Sequence, residues 1–181
     1  KDKHTKQLIK HANSVNTVWN FVNELSQKHW DRKREILSAY DLQPYTKGSG
    51  VELDLPARTI QSIQEIHYAR RKQFKKTKLK WRTSNGSKRS LGWIPFKESS
   101  VKLKNGKLCY SEKEFDFWDS YELKFYKIGG GSFNEDSRGR WYININVEIP
   151  ELCGPVNKNP SSSIGIDLGI KDCATTSDGE K

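Results

Sequence analysis

One acidic residue of this chain lies in a setting where a carboxylate is seldom left alone. Asp167 stands inside the run 164–170, Ile-Gly-Ile-Asp-Leu-Gly-Ile, and such an apolar, glycine-flanked run is typical of a buried strand. Burying an unpaired carboxylate costs several kcal/mol, so such an Asp is usually matched by a cation, and in a catalytic site by a divalent metal. The alternative is a buried Asp that caps a turn. We therefore treat Asp167 as a candidate metal ligand.

The acids that follow Asp167 do not make a complete metal site. Metal-dependent phosphodiester cleavage typically needs several carboxylates around two ions about 3.5–4 Å apart. After Asp167 the sequence has only Asp172, Asp178 and Glu180, all in a turn-rich tail. The chain also starts at Lys1 and contains no Met. We therefore expect part of a longer protein that holds the first piece of an active site.

The composition limits the class of protein. The chain has 181 residues, 34% hydrophobic and 30% charged, which suffices for a core in one domain or two small ones. No run approaches the roughly 20 apolar residues of a membrane helix, and no secretory signal is visible. The three cysteines form no Cys-x-x-Cys pair, which argues against a zinc site and for a reduced protein. We expect a cytoplasmic protein without a membrane partner.

The positive charge is concentrated in one part of the chain. The net charge is +10, of which the first 97 residues hold +13. Between Glu65 and Glu98 there are 11 Lys and Arg residues and no acid. Such a density predicts a polyanionic partner, because phosphates are bound chiefly through Lys and Arg.

Two helices are expected in the first half. Residues 5–40 predict a long helix or a helical hairpin, because apolar residues recur at spacings of three and four. A loop is expected at 41–54, followed by a second helix with Asp54 as N-cap and Pro56 in its first turn. That helix runs into the basic tract, Arg70–Arg82. Its like charges repel, so we expect it to fray when free and to become ordered on RNA or DNA.

The basic tract supplies the candidate nucleic-acid contacts. Its basic members are Arg70, Arg71, Lys72, Lys75, Lys76, Lys78, Lys80 and Arg82. Aromatic residues nearby can stack on exposed bases, and the alternative for each is a place in the protein core. We favour the core for Trp93 and Phe96. Both interpretations stay open for Trp81, which we include among the candidate contacts.

From Leu91 onward the pattern changes to strands. A short strand interrupted by proline is expected at 91–96. Residues 101–110 predict a hairpin, because Asn105-Gly106 joins two alternating arms.

The next strands suggest a small antiparallel sheet or barrel. Residues 121–128 predict a strand and 129–139 a flexible turn. Residues 140–150 alternate most regularly, with isoleucines and a valine on one face. Residues 151–163, rich in Pro, Gly and Ser, predict a linker into a new domain.

This order of elements and one motif resemble a known family. Residues 165–172, with Ala174-Thr175 and Asp178-Gly179, are similar to the first RuvC motif of the TnpB family. Its members are transposon-encoded RNA-guided nucleases related to the compact type V CRISPR effectors. Residues 55–62 are similar to the start of a helix in that family, and 139–148 to its last barrel strand.

The resemblance implies an α+β fold in four parts. These are a helical recognition domain with the basic tract at 5–90, an antiparallel β-barrel (wedge) domain at 91–150, a linker at 151–163, and the first strands of an RNase H-like (RuvC) domain at 164–181, which is incomplete. In the family, the first two domains hold the guide RNA and the guide–target duplex. They also read a short motif beside the DNA target.

Two polar residues match family positions near that DNA motif. They are Gln61 and Ser62, and Gln can pair with adenine in the major groove. The alternative is an ordinary polar helix face. Both residues are therefore candidate nucleic-acid contacts.

The resemblance also implies the chemistry of the intact protein. Asp167 is then the first catalytic carboxylate and a ligand of Mg²⁺, while a Glu and a further Asp come from later motifs. Those motifs, the family's zinc-binding insert and its opening barrel strand are not found in this sequence. The expected function is the guide-RNA- and target-DNA-binding portion of a prokaryotic-type DNA endonuclease that acts on the nucleoid. We do not expect this chain alone to cleave.

Two other functions share part of this pattern. A nuclease-dead relative would bind RNA and DNA and regulate transcription or transposition, although a dead enzyme has no need of Asp167. Actin-like ATPases and sugar kinases also carry an Ile-Asp-Leu-Gly strand. Their next turn usually consists of small residues, whereas Ile170-Lys171-Asp172 follows here, and their motif usually stands near the start of the chain.

Overall fold

The computed structural model of the protein describes residues 3–149 and the backbone of two short strands farther along, Ile166–Asp167 and Thr175–Thr176. Contacts divide the chain into two compact units, Lys1–Glu148 and Ile149–Lys181. The domain boundaries expected at 90, 150 and 163 stay predictions. The linker at 151–163 lies outside the described residues.

Helices fill the first half of the described chain. They are α1 (Thr5–Lys33), α2 (Ala39–Thr46), α3 (Ser49–Leu53) and α4 (Ala57–Phe74). The apolar stripe predicted for α1 is confirmed, since Val15, Val18 and Val22 are buried. The helix ends where Arg34 adopts a left-handed conformation and its N–H bonds to the Trp30 carbonyl.

The loop predicted at 41–54 is wrong, because most of it is helical in α2 and α3. A reciprocal capping box starts α2: the Ser38 hydroxyl accepts the Asp41 N–H, and the Asp41 carboxylate accepts the Ser38 N–H. Asp54 is not the N-cap of α4 either. It ends α3 in a left-handed conformation, and Pro56 precedes the first residue of α4.

The second half forms two antiparallel sheets of three strands each among the described residues. Sheet order is β1-β5-β6 in one and β2-β3-β4 in the other. The strands are β1 (Trp93–Phe96), β2 (Val101–Lys104), β3 (Lys107–Tyr110), β4 (Lys113–Phe115), β5 (Lys127–Glu135) and β6 (Trp141–Glu148). The predicted hairpin is confirmed with Lys104 opposite Lys107, and Asn105 and Gly106 both have positive φ.

The strand predicted at 121–128 and the turn predicted at 129–139 are largely wrong. Leu123–Phe125 is a short 3₁₀ helix, and β5 continues through three glycines to Glu135. A bulge between Ile128 and Gly131 accommodates them. A Cβ on Gly131 would lie 2.1 Å from the Asn144 carbonyl oxygen, so glycine serves there for close approach of strands.

The α+β class is confirmed, but the described strands do not close into a barrel. Closure would require the outer strands to pair, and both sheets are open. Strand β1 lies at an edge, where Pro95, which has no N–H, is tolerated. Strands β2 to β4 contain only three or four residues each, too few to wrap around a closed core.

One hydrophobic core joins the helices and sheets of the first unit. On the helical side, α1 and α4 bury Val15, Trp19 and Ile63. On the sheet side, Phe96 and Phe133 pack with ring centroids 5.4 Å apart. Side chains of the helices and of the sheets thus pack into the same core.

The described part of the second unit is a pair of antiparallel strands. These are β7 (Ile166–Asp167) and β8 (Thr175–Thr176), with Asp167 opposite Thr175. The strand predicted around Asp167 is thus confirmed for its backbone.

Candidate nucleic-acid interface

The basic tract divides into the end of α4 and an irregular segment that follows it. Helix α4 ends at Phe74, where Lys75 adopts a left-handed conformation. Residues 75–91, which we name the basic strap, then run beside α1 without regular secondary structure. The helix does not continue into the rest of the tract, and side chains of α1 bind residues 79–84 of the strap. The ordering of the tract on RNA or DNA stays a prediction.

Two asparagines of α1 bind the strap backbone as a neighbouring strand would. The Asn23 amide donates to the Leu79 carbonyl at 2.7 Å and accepts the Leu79 N–H at 3.0 Å. Asn20 makes the same pair of bonds with Arg82, at 2.8 and 2.9 Å. Between them the Trp19 indole N–H donates to the Lys80 carbonyl at 3.1 Å. The backbone polar groups of an irregular segment are thereby satisfied.

This attachment decides which strap side chains face solvent. Leu79 is buried against the core, whereas Lys78 and Lys80 are exposed. Trp81 is 42% exposed and lies under the Lys78 ammonium, which is 5.6 Å from its ring centroid. Its exposure leaves ring surface on which a base can stack.

Arg71 faces inward, unlike its neighbours in the tract. It is fully buried, and its Nε donates to the Lys76 carbonyl at 3.2 Å, which holds the start of the strap against α4. Its Nη1 and Nη2 find no hydrogen-bond partner among the described residues. Burial lowers the pKa of this guanidinium. The phosphate contact by Arg71 stays a prediction. In this structure the Arg71 side chain is buried beneath the surface.

A buried histidine lies one turn before Arg71 on α4. The His67 Nε2 is 3.3 Å from Asn23 Oδ1, an acceptor, so Nε2 carries the proton of the neutral ring. Burial, with a smaller contribution from the Arg71 charge, lowers the pKa of His67 to about 4. The interior beneath the strap is therefore one that rejects additional positive charge.

Arg70 and Arg82 lie over tryptophan rings. The Arg70 Cζ is 5.7 Å from the Trp19 centroid and 5.8 Å from that of Trp93. The Arg82 Cζ is 5.4 Å from the same Trp93 ring. Trp93 is half-buried and Phe96 buried, so the favoured core interpretation is confirmed for Phe96 and holds in part for Trp93.

The far end of the strap is locked by an ion pair that joins it to β5. Arg89 donates through Nη1 and Nη2 to the two oxygens of Glu135, at 2.7 and 2.5 Å. Glu135 is buried and also accepts the Gly92 N–H at 2.8 Å. The Arg89 guanidinium holds the pKa of that carboxyl below its usual range. Within the basic strap, Arg89 therefore serves to hold the structure together through its pairing with Glu135.

The two polar candidates on α4 lie in different surroundings. Gln61 lines a groove of about 710 Å³ between α2, α3 and α4, together with Gln64, whose Nε2 donates to Thr46 Oγ1 at 2.7 Å. Ser62, in contrast, is 6% exposed. The structure therefore leaves Gln61 accessible in a groove and buries Ser62 beside it.

Sequence reasoning missed the residues that position the strap. Asn16, Asn20 and Asn23 lie at spacings of four and three on α1, next to its apolar stripe. Asparagines repeated at helical spacing beside an apolar stripe predict hydrogen bonds to another segment, because buried amides need partners. Arg89 and Glu135 carry no such signal, since 46 positions separate them.

Asp167 lies in β7, and its carboxylate is outside the described part of the structure. Within the described residues, no group of three or more His, Cys, Asp and Glu side chains is arranged to hold a metal ion. No described helix is both long and apolar enough to cross a membrane.

In comparison with known proteins, no protein-family model and no curated protein matches this chain. Function is therefore inferred from the strap, its surroundings and the motif around Asp167.

Proposed function

We propose that this chain is the guide-RNA- and DNA-binding portion of an RNA-guided, transposon-associated DNA endonuclease of the TnpB type. The observation that supports this best is the basic strap, a run of outward-facing cations that α1 holds in one conformation. In this proposal, the helices serve as the recognition part and the two sheets as the wedge part. The protein acts in the cytoplasm of a prokaryotic cell, on the nucleoid.

The strap suits a partner that is recognised by its phosphates. A structured RNA or a guide–target duplex presents an A-form backbone, whose deep major groove hides most base edges. Lysines spaced along a fixed backbone can follow such a surface without reading sequence. The half-exposed Trp81 adds a place for an unpaired base. Because the strap is already ordered, little conformational entropy is lost on binding.

The nuclease half of the proposal depends on Asp167. Its backbone pairing in β7 and β8 agrees with the strand that the RuvC motif implies. In the intact protein, Asp167 would supply one carboxylate oxygen to Mg²⁺. When bound, this metal activates water and stabilises the leaving oxygen in phosphodiester hydrolysis.

A salt-dependent binding titration tests the RNA half. The chain is titrated with guide-like structured RNA, unrelated RNA of equal length and duplex DNA. We expect tightest binding to one RNA, with a slope that falls by about 0.7–0.9 for each phosphate contact removed. The test variant is Lys78→Gln with Lys80→Gln. The matched control is Lys102→Gln with Lys104→Gln, which removes the same charge at the same spacing from exposed positions of β2.

Equal slopes for the two double variants would contradict the role of the strap. Weak binding that follows charge alone, with no RNA preferred, would contradict the guide-holding function. For the nuclease half, Asp167→Asn in the intact protein should abolish cleavage of target DNA while RNA binding is retained. An intact wild-type protein that binds RNA and DNA but never cuts would favour the nuclease-dead regulator instead.

A further inference from the structure

Two arginines share one tryptophan at the junction of α4, the strap and β1. Their guanidinium carbons lie 5.8 Å (Arg70) and 5.4 Å (Arg82) from the Trp93 ring centroid. Arg70 comes from α4 and Arg82 from the strap, so the tertiary structure brings together two residues 12 positions apart. The ring is itself fixed, since Trp19 packs edge-on against it at 5.9 Å.

Neither of these two arginines has an acidic partner in the described part of the chain. Among the described residues, the arginines that pair with carboxylates are Arg89 and Arg140, not these two. Arg82 donates through Nε to Asn16 Oδ1 at 2.5 Å and through Nη2 to the Leu91 carbonyl at 2.6 Å. Both acceptors are neutral, so they orient the guanidinium and leave its charge in place.

The surroundings make this arrangement unfavourable in the absence of an anion. Burial, and then the nearby Arg70 charge, lowers the pKa of Arg82. Attraction of each cation to the Trp93 face offsets only part of the repulsion. A doubly charged anion with several acceptor oxygens would remove the repulsion and fill the remaining N–H positions of both forks.

We propose that Arg70 and Arg82, held over Trp93, form a preformed seat for one phosphoryl group. The seat rests on the placement of two arginines without acidic partners on one ring, whereas its occupation by a phosphate of an RNA backbone rests on the function proposed above. Free phosphate or a nucleotide shares the same chemistry and is separated from RNA by the experiment.

The first arm uses inorganic pyrophosphate and the full chain. The Arg82 Nε–H and Trp93 indole N–H resonances are followed by ¹⁵N NMR during the titration. We expect saturable shifts in the wild type that are lost in Arg70→Gln. Arg70 is exposed, so its replacement leaves the core intact. The control Lys72→Gln removes the same charge from an exposed position two residues away and should retain the shifts.

The second arm measures RNA binding by the same variants. Arg70→Gln should weaken binding about tenfold, as expected for a lost charge-assisted hydrogen bond, and Lys72→Gln about two- to threefold. Arg70→Lys keeps the charge and loses the planar fork, so it should fall between them.

The outcomes separate the seat from the proposed function. Equal behaviour of Arg70→Gln and Lys72→Gln in both arms would overturn the seat, and the proposed function would stand if the RNA were still preferred. Saturable pyrophosphate binding that depends on Arg70, without any RNA preference, would support a seat for free phosphate and overturn the proposed function. Dependence on Arg70 in both arms supports both.

Discussion

The basic strap and the loop at 116–126, which we name the aromatic loop, are both irregular and both expose tryptophan, yet they are held in different ways. The strap is bound over residues 79–84 by side chains of α1, which lie about 60 positions earlier in the chain. At its start the aromatic loop bonds to His4, whose Nε2 accepts the Asp116 N–H at 3.0 Å. Farther along, Asp119 accepts the N–H groups of Tyr121 and Leu123. The strap is thus held by several side chains of one helix, whereas residues 119–123 of the aromatic loop are held by their own turn.

The two segments also differ in charge. The strap contains seven Lys and Arg residues and no acid, whereas the aromatic loop contains three acids and one lysine. Trp118 and Tyr121 in the aromatic loop are 91% and 79% exposed. Exposed aromatic rings are therefore common to both segments and do not distinguish them. The combination of a ring with fixed cations separates the strap from the aromatic loop.

The largest expected effect comes from detaching the strap. Asn23→Ala leaves the Leu79 N–H, the Leu79 carbonyl and the His67 Nε2 without their shared partner. We expect a loss of about 3 kcal/mol in the free energy of unfolding, because several buried polar groups lose hydrogen bonds together. Urea denaturation measures it.

The control is Asn13→Ala, the same substitution on the same helix at a half-buried position, whereas Asn23 is fully buried. Its side chain makes none of the hydrogen bonds that join α1 to the strap, so a change within about 0.5 kcal/mol is expected. Equal losses for the two variants would mean that the hydrogen bonds of Asn23 to the strap add no measurable stability.

The interior beneath the strap should give the protein a pH-dependent stability. The pKa of His67 is about 4 in the folded chain, against an ordinary value of 6.5. The unfolded chain therefore takes up a proton first as the pH falls below 6.5, and stability decreases until about pH 4. Between pH 7 and pH 5 the expected loss is about 2 kcal/mol.

Urea denaturation at several pH values checks this prediction. His67→Gln retains a donor toward Asn23 and should remove this part of the pH dependence, whatever its effect on stability at pH 7. Because burial also lowers the pKa of His11, a smaller dependence of the same sign should persist. An unchanged pH profile in His67→Gln would show that the interior beneath the strap tolerates charge.

The smallest effect concerns the two tryptophans themselves. Trp81→Ala should weaken binding of single-stranded or looped RNA by about 1–2 kcal/mol, since base stacking is worth about 1–3 kcal/mol per base. Trp118→Ala removes a more exposed ring from the acidic surroundings of the aromatic loop and should leave RNA binding unchanged. Fluorescence anisotropy with labelled RNA compares them.

If the two substitutions weakened RNA binding equally, the strap and the aromatic loop would not differ in their contribution to binding. If only Trp118→Ala weakened RNA binding, the RNA-binding surface would lie at the aromatic loop. This result would contradict the assignment from positive charge.

Local patterns were predicted where local geometry decides them. The Asn105-Gly106 hairpin and the alternation of β6 follow from turn chemistry and a two-residue period. The glycines of β5 were mistaken for a turn, because only their closeness to Phe96 and Asn144 shows that they permit strands to approach. The sequence analysis misses helices α2 and α3, because Pro44, Gly48 and Gly50 are typical of a loop and the capping box of Ser38 and Asp41 is identified only in the structure.

By itself, the sequence determined the charge of the tract, the long helices α1 and α4 that precede or enter it, and the strand that carries Asp167. Only the tertiary structure decided which basic residues are available. It buried Arg71, paired Arg89 with Glu135 and brought Arg70 and Arg82 to one ring. The physical reason is that charge is a property of each residue, whereas exposure and pairing depend on contacts between residues far apart in the chain.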